Sequence, residues 1–256
     1  MKTLFMDRGY IPLAIYVCFG LALLTPFLSV DLWGYAVAFL VAQFFIAFGV
    51  ALGNHRYFCH RQFKTTPFWE WVMGLTAVIS LHGPPAMWRM SHMAHHKHAD
   101  SEEDPLYLPA MVKWRIPHDI YGIHAAKGMT RAYLKRILKD PVMRFTLKYH
   151  WLPIVLYTSL LALFSWQAVL VGWVLPVAIT HTLSYAVALI NHNPRFGYRN
   201  FDTPDKSRNI PWLSWLTWGE AMHHNHHYRA GASNLAMKTN EFDLGYQLIK
   251  LIQIAK

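Results

Sequence analysis

The stretch Trp88–Pro105, WRMSHMAHHKHADSEEDP, places His92, His95 and His96 in an H-x-x-H-H pattern. Helical neighbours three and four residues apart share a face, so the three imidazoles would point into one small volume. Imidazole is a neutral, borderline ligand that suits zinc, iron, copper and nickel. A second H-x-x-H-H lies near the other end of the chain, with His223, His226 and His227 in GEAMHHNHHYR. His55 and His60 precede both in GNHRYFCHRQF, and His192 follows a long apolar run. These nine donors are more than one tetrahedral zinc takes. They suit two metals in an imidazole-rich site.

His55 and His60 are five residues apart. An ideal α-helix would set them about 140° apart. Either the helix distorts there or the two serve different metals. Asp100, Asp104 and Glu220 lie near the candidate ligands and have the chemistry to accept ring N–H bonds, fixing tautomer and orientation. For Asp100 and Asp104, helix capping is an equal alternative. His98 and His224 are out of phase with their clusters, and His118, His124 and His150 sit in basic surroundings. His82 reads as structural. Cys18 and Cys59 read as packing, and without a Cys-x-x-Cys there is no cysteine-held zinc or iron–sulfur module.

The elements that must carry these histidines read as membrane helices. The 256-residue chain is 54% hydrophobic and only 15% charged, with 11 Trp, 13 Tyr and 15 Phe. A soluble domain carries about a quarter charged residues, and Trp and Tyr favour the bilayer interface. Net charge is +10, yet no Lys or Arg occurs from Gly9 to His55 or from Tyr149 to Pro194. That pattern fits cytoplasmic positive bias rather than a nucleic-acid surface. Residues 10–52 read as one transmembrane hairpin and 151–190 as another, their turns free of basic residues. Residues 55–148 and 192–256 would form cytosolic or interfacial segments, the whole being one domain over 1–256. The expected fold is an all-α integral membrane protein, with four transmembrane helices in two hairpins and a cytosolic helical cap holding a histidine-rich di-metal site. Gly49 and Gly53 would allow close helix approach. Pro67–Leu81 is too short to span comfortably. Asp119–His150 reads as a basic amphipathic helix, suited to anionic lipid or an acidic electron donor, and Leu244, Leu248, Leu251 and Ile252 mark an amphipathic C-terminal helix. His181 lies within a span, too far from the clusters to join them.

With these residues in place, the chain resembles the membrane fatty acid desaturase family, in its acyl-CoA, stearoyl-type delta-9 branch. That family carries H-x-x-x-x-H, H-x-x-H-H and a second H-x-x-H-H, matched here by HRYFCH, HMAHH and HHNHH. GYRNF at Gly197–Phe201 and the Gly-Glu before the last box match as well. The resemblance implies two iron ions held by His55, His60, His92, His95, His96, His192, His223, His226 and His227. It implies dioxygen as co-substrate, a fatty acyl substrate (acyl-CoA or acyl-lipid), and oxidoreductase activity that introduces a double bond. Two electrons would come from a separate donor such as ferredoxin or a cytochrome b-type protein. The family's ninth histidine lies in N-S-x-x-H-x-x-G. Here ALINHNPRFG puts His192 in its place but Ala188 where the Asn belongs, leaving Asn191 or Asn193 to compensate. Phe39, Phe44 and Phe45 are candidates for the closed end of an acyl tunnel. Both termini and the metal site would be cytoplasmic, on a bacterial inner membrane or, in a eukaryote, the endoplasmic reticulum. A hydroxylase with the same metal site is the alternative within enzymes. A histidine-rich metal transporter or store is the alternative outside them.

Overall fold

The computed structural model describes residues 10–104 and 135–254. Among these the chain is helical, with no strand beyond isolated bridges. α1 (Tyr10–Leu24) buries Ile11, Ile15 and Cys18 at helical spacing and leaves Leu13, Val17, Leu23 and Leu24 exposed. After a tight turn, Asp31 caps α2 (Leu32–Phe44) by accepting the Gly34 N–H at 2.7 Å. α2 runs unbroken into a π-helix, Phe45–Cys59. Leu32–Cys59 is thus a single 28-residue rod, long and apolar enough to cross a membrane.

The second such rod is Trp166–Ile190, 25 residues long. It comprises α7 (Trp166–Val169), a π turn at Leu170–Val174 and α8 (Leu175–Ile190). α1 and α6 (Trp151–Ala162) are shorter apolar helices. Ile11, Ile15, Phe45, Leu170, Val174 and Val177 pack together between these helices. The opposite faces carry exposed Leu13, Leu40, Leu160, Leu163 and Phe164. Apolar residues all round suit a helix whose outer face meets lipid.

The π-helix decides where the first two histidines go. Its i→i+5 bonds stack residues five apart on one face, and the His60 N–H donates to the His55 carbonyl at 3.1 Å. Of the two outcomes left open by the five-residue spacing, the helix distorts. α3 (Pro67–Ile79) packs along this π segment. Gly49 and Gly53 make that contact possible, because a Cβ on Gly49 would lie 3.1 Å from the Ala77 backbone and one on Gly53 3.1 Å from the Met73 Cβ.

α4 (Pro85–His98) carries the second box. The first half of the basic stretch Asp119–His150, with His118 and His124, lies outside the described residues. Its described end is not one helix. Asp140 accepts the Val142 and Met143 N–H groups at 3.0 Å and Pro141 opens a new helix, α5 (Pro141–Lys148). Lys135, Arg136, Lys139, Arg144 and Lys148 are exposed there. α9 (Pro211–Leu216) and α10 (His223–Tyr228) lead into and carry the last box. On α11 (Leu244–Ile252), Leu248 and Ile252 of the expected face pack with Ile249 and Gly245 inward, while Leu251 is 81% exposed. Gly245 lies against the Trp218 carbonyl and Arg56, where no side chain fits.

A Gly49→Leu substitution should force α3 away from the π segment and cost about 1–3 kcal/mol, as overpacking does. Thermal unfolding of the purified variant in detergent measures the loss, and an unchanged Tm would refute the close packing.

Candidate metal centre

All nine boxed or flanking histidines converge at one end of the two long rods, in two groups. His55, His60, His92, His96 and His226 each offer a ring nitrogen within 4.8 Å of the others. His95, His192, His223 and His227 do the same. Each H-x-x-H-H box divides between the groups. On α4, His92 and His96 point to the first group and His95 to the second; on α10, His226 points to the first, His223 and His227 to the second.

The contacts inside each group are nitrogen to nitrogen. His226 Nε2 lies 2.9 Å from His55 Nε2 and 2.8 Å from His96 Nε2, which is itself 3.0 Å from His92 Nε2. In the second group His223 Nε2 lies 3.0 Å from both His192 Nε2 and His227 Nε2, and His95 Nε2 lies 3.2 Å from His227 Nε2.

The outer nitrogens face carboxylates. His95 Nδ1 is 2.9 Å from both oxygens of Asp104, and His192 Nδ1 is 3.1 Å from Asp100 Oδ1. His55 Nδ1 meets Glu220, and His227 Nδ1 faces Asp205 Oδ2 at 3.8 Å. A neutral imidazole carries one N–H. Where the carboxylate takes it, Nε2 is left as a lone pair. In the second group His95 and His192 are fixed in this way, and in the first group His55 is, an arrangement that suits a cation between the inward nitrogens. His60 Nε2 is also buried without a hydrogen-bond partner. The donor set therefore fits one cation in each group, held by rings whose far sides are anchored as metal-binding histidines usually are.

Burial opposes charging several of these rings. It lowers His60 to about 4, with Arg89 adding to the effect, and His96 to about 3, with His60 and His95 adding to it. His92, His223, His226 and His227 are driven well below the ordinary range, by burial first and by neighbouring rings second. Burial raises the Asp100 carboxyl, but bonds from His192 and the Lys206 N–H outweigh it and hold it below its usual value.

Asp100 and Asp104 combine the two roles left open by sequence. Asp104 also accepts the Asp100 N–H at 3.1 Å, closing the turn after α4, where Asp100 has φ 64°. Glu220 and His223 have Glu-x-x-His spacing, yet the Glu220 carboxylate turns to His55 and Arg56 rather than into the second group. Asn191 does not replace the missing Asn. Its amide donates to the Arg208 and Ala221 carbonyls at 2.8 Å, tying the end of α8 to the segment before the last box. Asn193 instead accepts the Arg195 N–H at 3.0 Å. His224 braces the loop after GYRNF, accepting the Phe201 N–H at 3.0 Å. Cys59 is buried and stands outside both groups.

Sequence reading passed over two residues. Arg56 is fully buried, donating to Asp243 at 2.8 and 3.1 Å, to Glu220 at 3.2 Å and to the Ser233 and Trp218 carbonyls. It ties the first box to the last and to the cap of α11. Its one sequence signal is a charge next to His55 in an apolar helix. Asp205 gave none, since it lies in a polar loop far from any box.

A cavity of about 110 Å³ opens against His55, His92, His95, His192 and His223. Ile46, Val50, Val187 and Ala188 line its apolar walls. The three phenylalanines expected at its end are elsewhere. Phe39 and Phe44 are exposed on the outer face, and Phe45 packs edge-on to Tyr157. Phe39 instead lines a separate cavity with Phe19, Ala178 and Thr182.

A family model described as fatty acid desaturase matches residues 31–238. The chain is 32% identical over 208 residues to the sn-1 stearoyl-lipid 9-desaturase of Anabaena variabilis, covering 80% of this chain and 75% of that protein. It is 26% identical over 253 residues to Delta-9 acyl-lipid desaturase 2 of Arabidopsis thaliana, covering 94% and 78%. It is 28% identical over 242 residues to the sn-2 palmitoyl-lipid 9-desaturase of Nostoc sp. (strain 36), covering 91% and 83%.

Arg56→Met should leave Asp243 and Glu220 as unpaired buried carboxylates and cost about 3–5 kcal/mol. Chemical denaturation measures it, with loss of bound metal by elemental analysis as a second readout. Chelator-stripped protein should be most stable above pH 6.5 and weaken as the pH falls through about 4 for His60 and about 3 for His96. The sign follows because unfolding releases rings that then bind protons the folded state refuses. A Tm that stayed flat from pH 7 to 4 would contradict it.

Proposed function

The chain belongs to the fatty acid desaturase family, its matched relatives lying in the delta-9 branch, and from that premise we propose that it desaturates a fatty acyl chain at a two-iron site. The convergence of nine imidazoles beside an apolar cavity carries this reading. The ligands are His55, His60, His92, His96 and His226 for one iron and His95, His192, His223 and His227 for the other. Bound iron supplies dioxygen activation and the oxidising power to take two hydrogens from the chain. The protein supplies placement and shelter.

Ile46, Val50, Val187 and Ala188 hold a saturated segment against the rings by apolar contact and keep water from it. Trp88 stacks on His92 with centroids 4.5 Å apart and shields that ring. Asp100 and Asp104 accept the Nδ1 protons of His192 and His95, which keeps those two Nε2 lone pairs aimed inward, and Glu220 and Asp205 stand behind His55 and His227. The π segment and α8 deliver their histidines from within the bilayer to its edge. α1, α2 with its π segment, α6, and α7 with α8 form four spans in two hairpins, with the metal site and both ends of the chain on the cytoplasmic side. The exposed cations Lys135, Arg136, Lys139, Arg144 and Lys148 suit a separate acidic electron donor. The relatives' names concern lipid-bound acyl chains, which favours an acyl-lipid over the acyl-CoA expected from sequence.

Expression in a host fed defined saturated chains, followed by mass spectrometry of its lipids, should reveal new monounsaturated chains. His95→Ala should reduce them at least a hundredfold while the protein still inserts. Hydroxylated products instead would mark an oxygenase. Purified protein given an electron donor and either stearoyl-CoA or a stearoyl lipid separates the two substrate forms.

A further inference from the structure

One wall of the cavity follows a single face of α8. His181, Ser184, Tyr185, Ala188 and His192 succeed one another along it, about a turn apart. Val187 and Ala188 make the middle apolar, but the end away from the metal-site rings is polar. There His82 and His181 lie stacked, with ring centroids 4.0 Å apart and planes 10° from parallel. His82 Nε2 bonds Ser184 Oγ at 2.9 Å, and His181 Nε2 bonds the Ser80 carbonyl at 3.1 Å. Tyr185 lines the same end, and its hydroxyl is buried with no hydrogen-bond partner.

A hydrocarbon chain gives such groups nothing to bond. A buried hydroxyl without a partner is costly, and a site built around polar groups rejects ligands that leave them unpaired. Tyr185 precedes His192 by seven residues, about 10 Å along a helix axis. That is close to the stretch between a delta-9 carbon pair and the methyl end of a stearoyl chain.

We propose that this deep end is a subsite for a hydroxyl carried at or near the far end of the acyl chain, bound by the His82–Ser184 pair, His181 and Tyr185. The inference rests on the fatty acyl reading of the cavity. It makes the protein selective for chains already oxygenated near their methyl end. The reaction that supplies its substrate is then a terminal or near-terminal hydroxylation.

The test uses purified, iron-loaded full-length protein with stearate and omega-hydroxystearate as probes, their affinities read by native mass spectrometry. The hydroxylated chain should bind at least tenfold more tightly. Ser184→Ala and Tyr185→Phe, both conservative in shape, should each bring the ratio toward one. Equal affinities in the unaltered protein, or a ratio unmoved in both variants, would overturn the subsite. Binding needs no turnover. A retained preference without desaturation of either chain would therefore sink the proposed function and leave the subsite standing. Desaturation of both chains at equal efficiency would do the reverse.

Discussion

Neutral imidazoles do not gather of their own accord. In each group, ring nitrogens lie about as close as hydrogen-bonded atoms, and His55, His95 and His192 turn their outer nitrogens to carboxylates. Ring nitrogens that face one another without a proton between them repel, and rings such as His92, His226 and His227 are buried where charging them is opposed. Such a cluster holds together only when the scaffold is rigid enough to oppose that repulsion, or when cations offset it. Most of the fold can be understood as that scaffold.

The rigidity comes from three devices working at different ranges. Locally, the π-helix replaces the α repeat just where His55 and His60 need a common face. At intermediate range, Asp104 closes the turn after α4 and orients His95 in the same act, so turn and ring cannot move separately. At long range, buried Arg56 joins the π segment to Glu220 and Asp243. Glu220 then reaches back to His55. A displacement of the last box would have to break this chain of charged contacts, which are expensive to leave unpaired in a low-dielectric interior.

The apolar half of the molecule solves a different problem. Its helices expose large aliphatic and aromatic side chains outward and reserve small residues, Gly49 and Gly53 among them, for mutual contact. The cavity starts at the ring clusters and runs between these helices, so a chain lying in it would leave water before it met the metal site. Polar side chains on this wall stand beside apolar Ile46, Val50, Val187 and Ala188. His82, His181 and Ser184 satisfy one another only in part through the wall's own backbone, which is why they read as features of ligand choice as well as of packing.

The histidine boxes and the two long apolar runs were legible in the sequence, because ligand type, spacing and hydrophobic length are properties of residues close together in the chain. The role of Asp104 was half legible for the same reason: it lies nine residues from His95. How the rings divide into five and four was not, since His226 and His227 are adjacent in sequence and serve different centres. Neither were Arg56 and Asp205, whose partners are contributed by segments more than twenty residues away. The tunnel phenylalanines were misplaced because an all-apolar helix has no pattern to say which face meets lipid and which meets a cavity. Local chemistry chose the ligands; only the packing of distant helices decided which of them share a centre and what stands behind each ring.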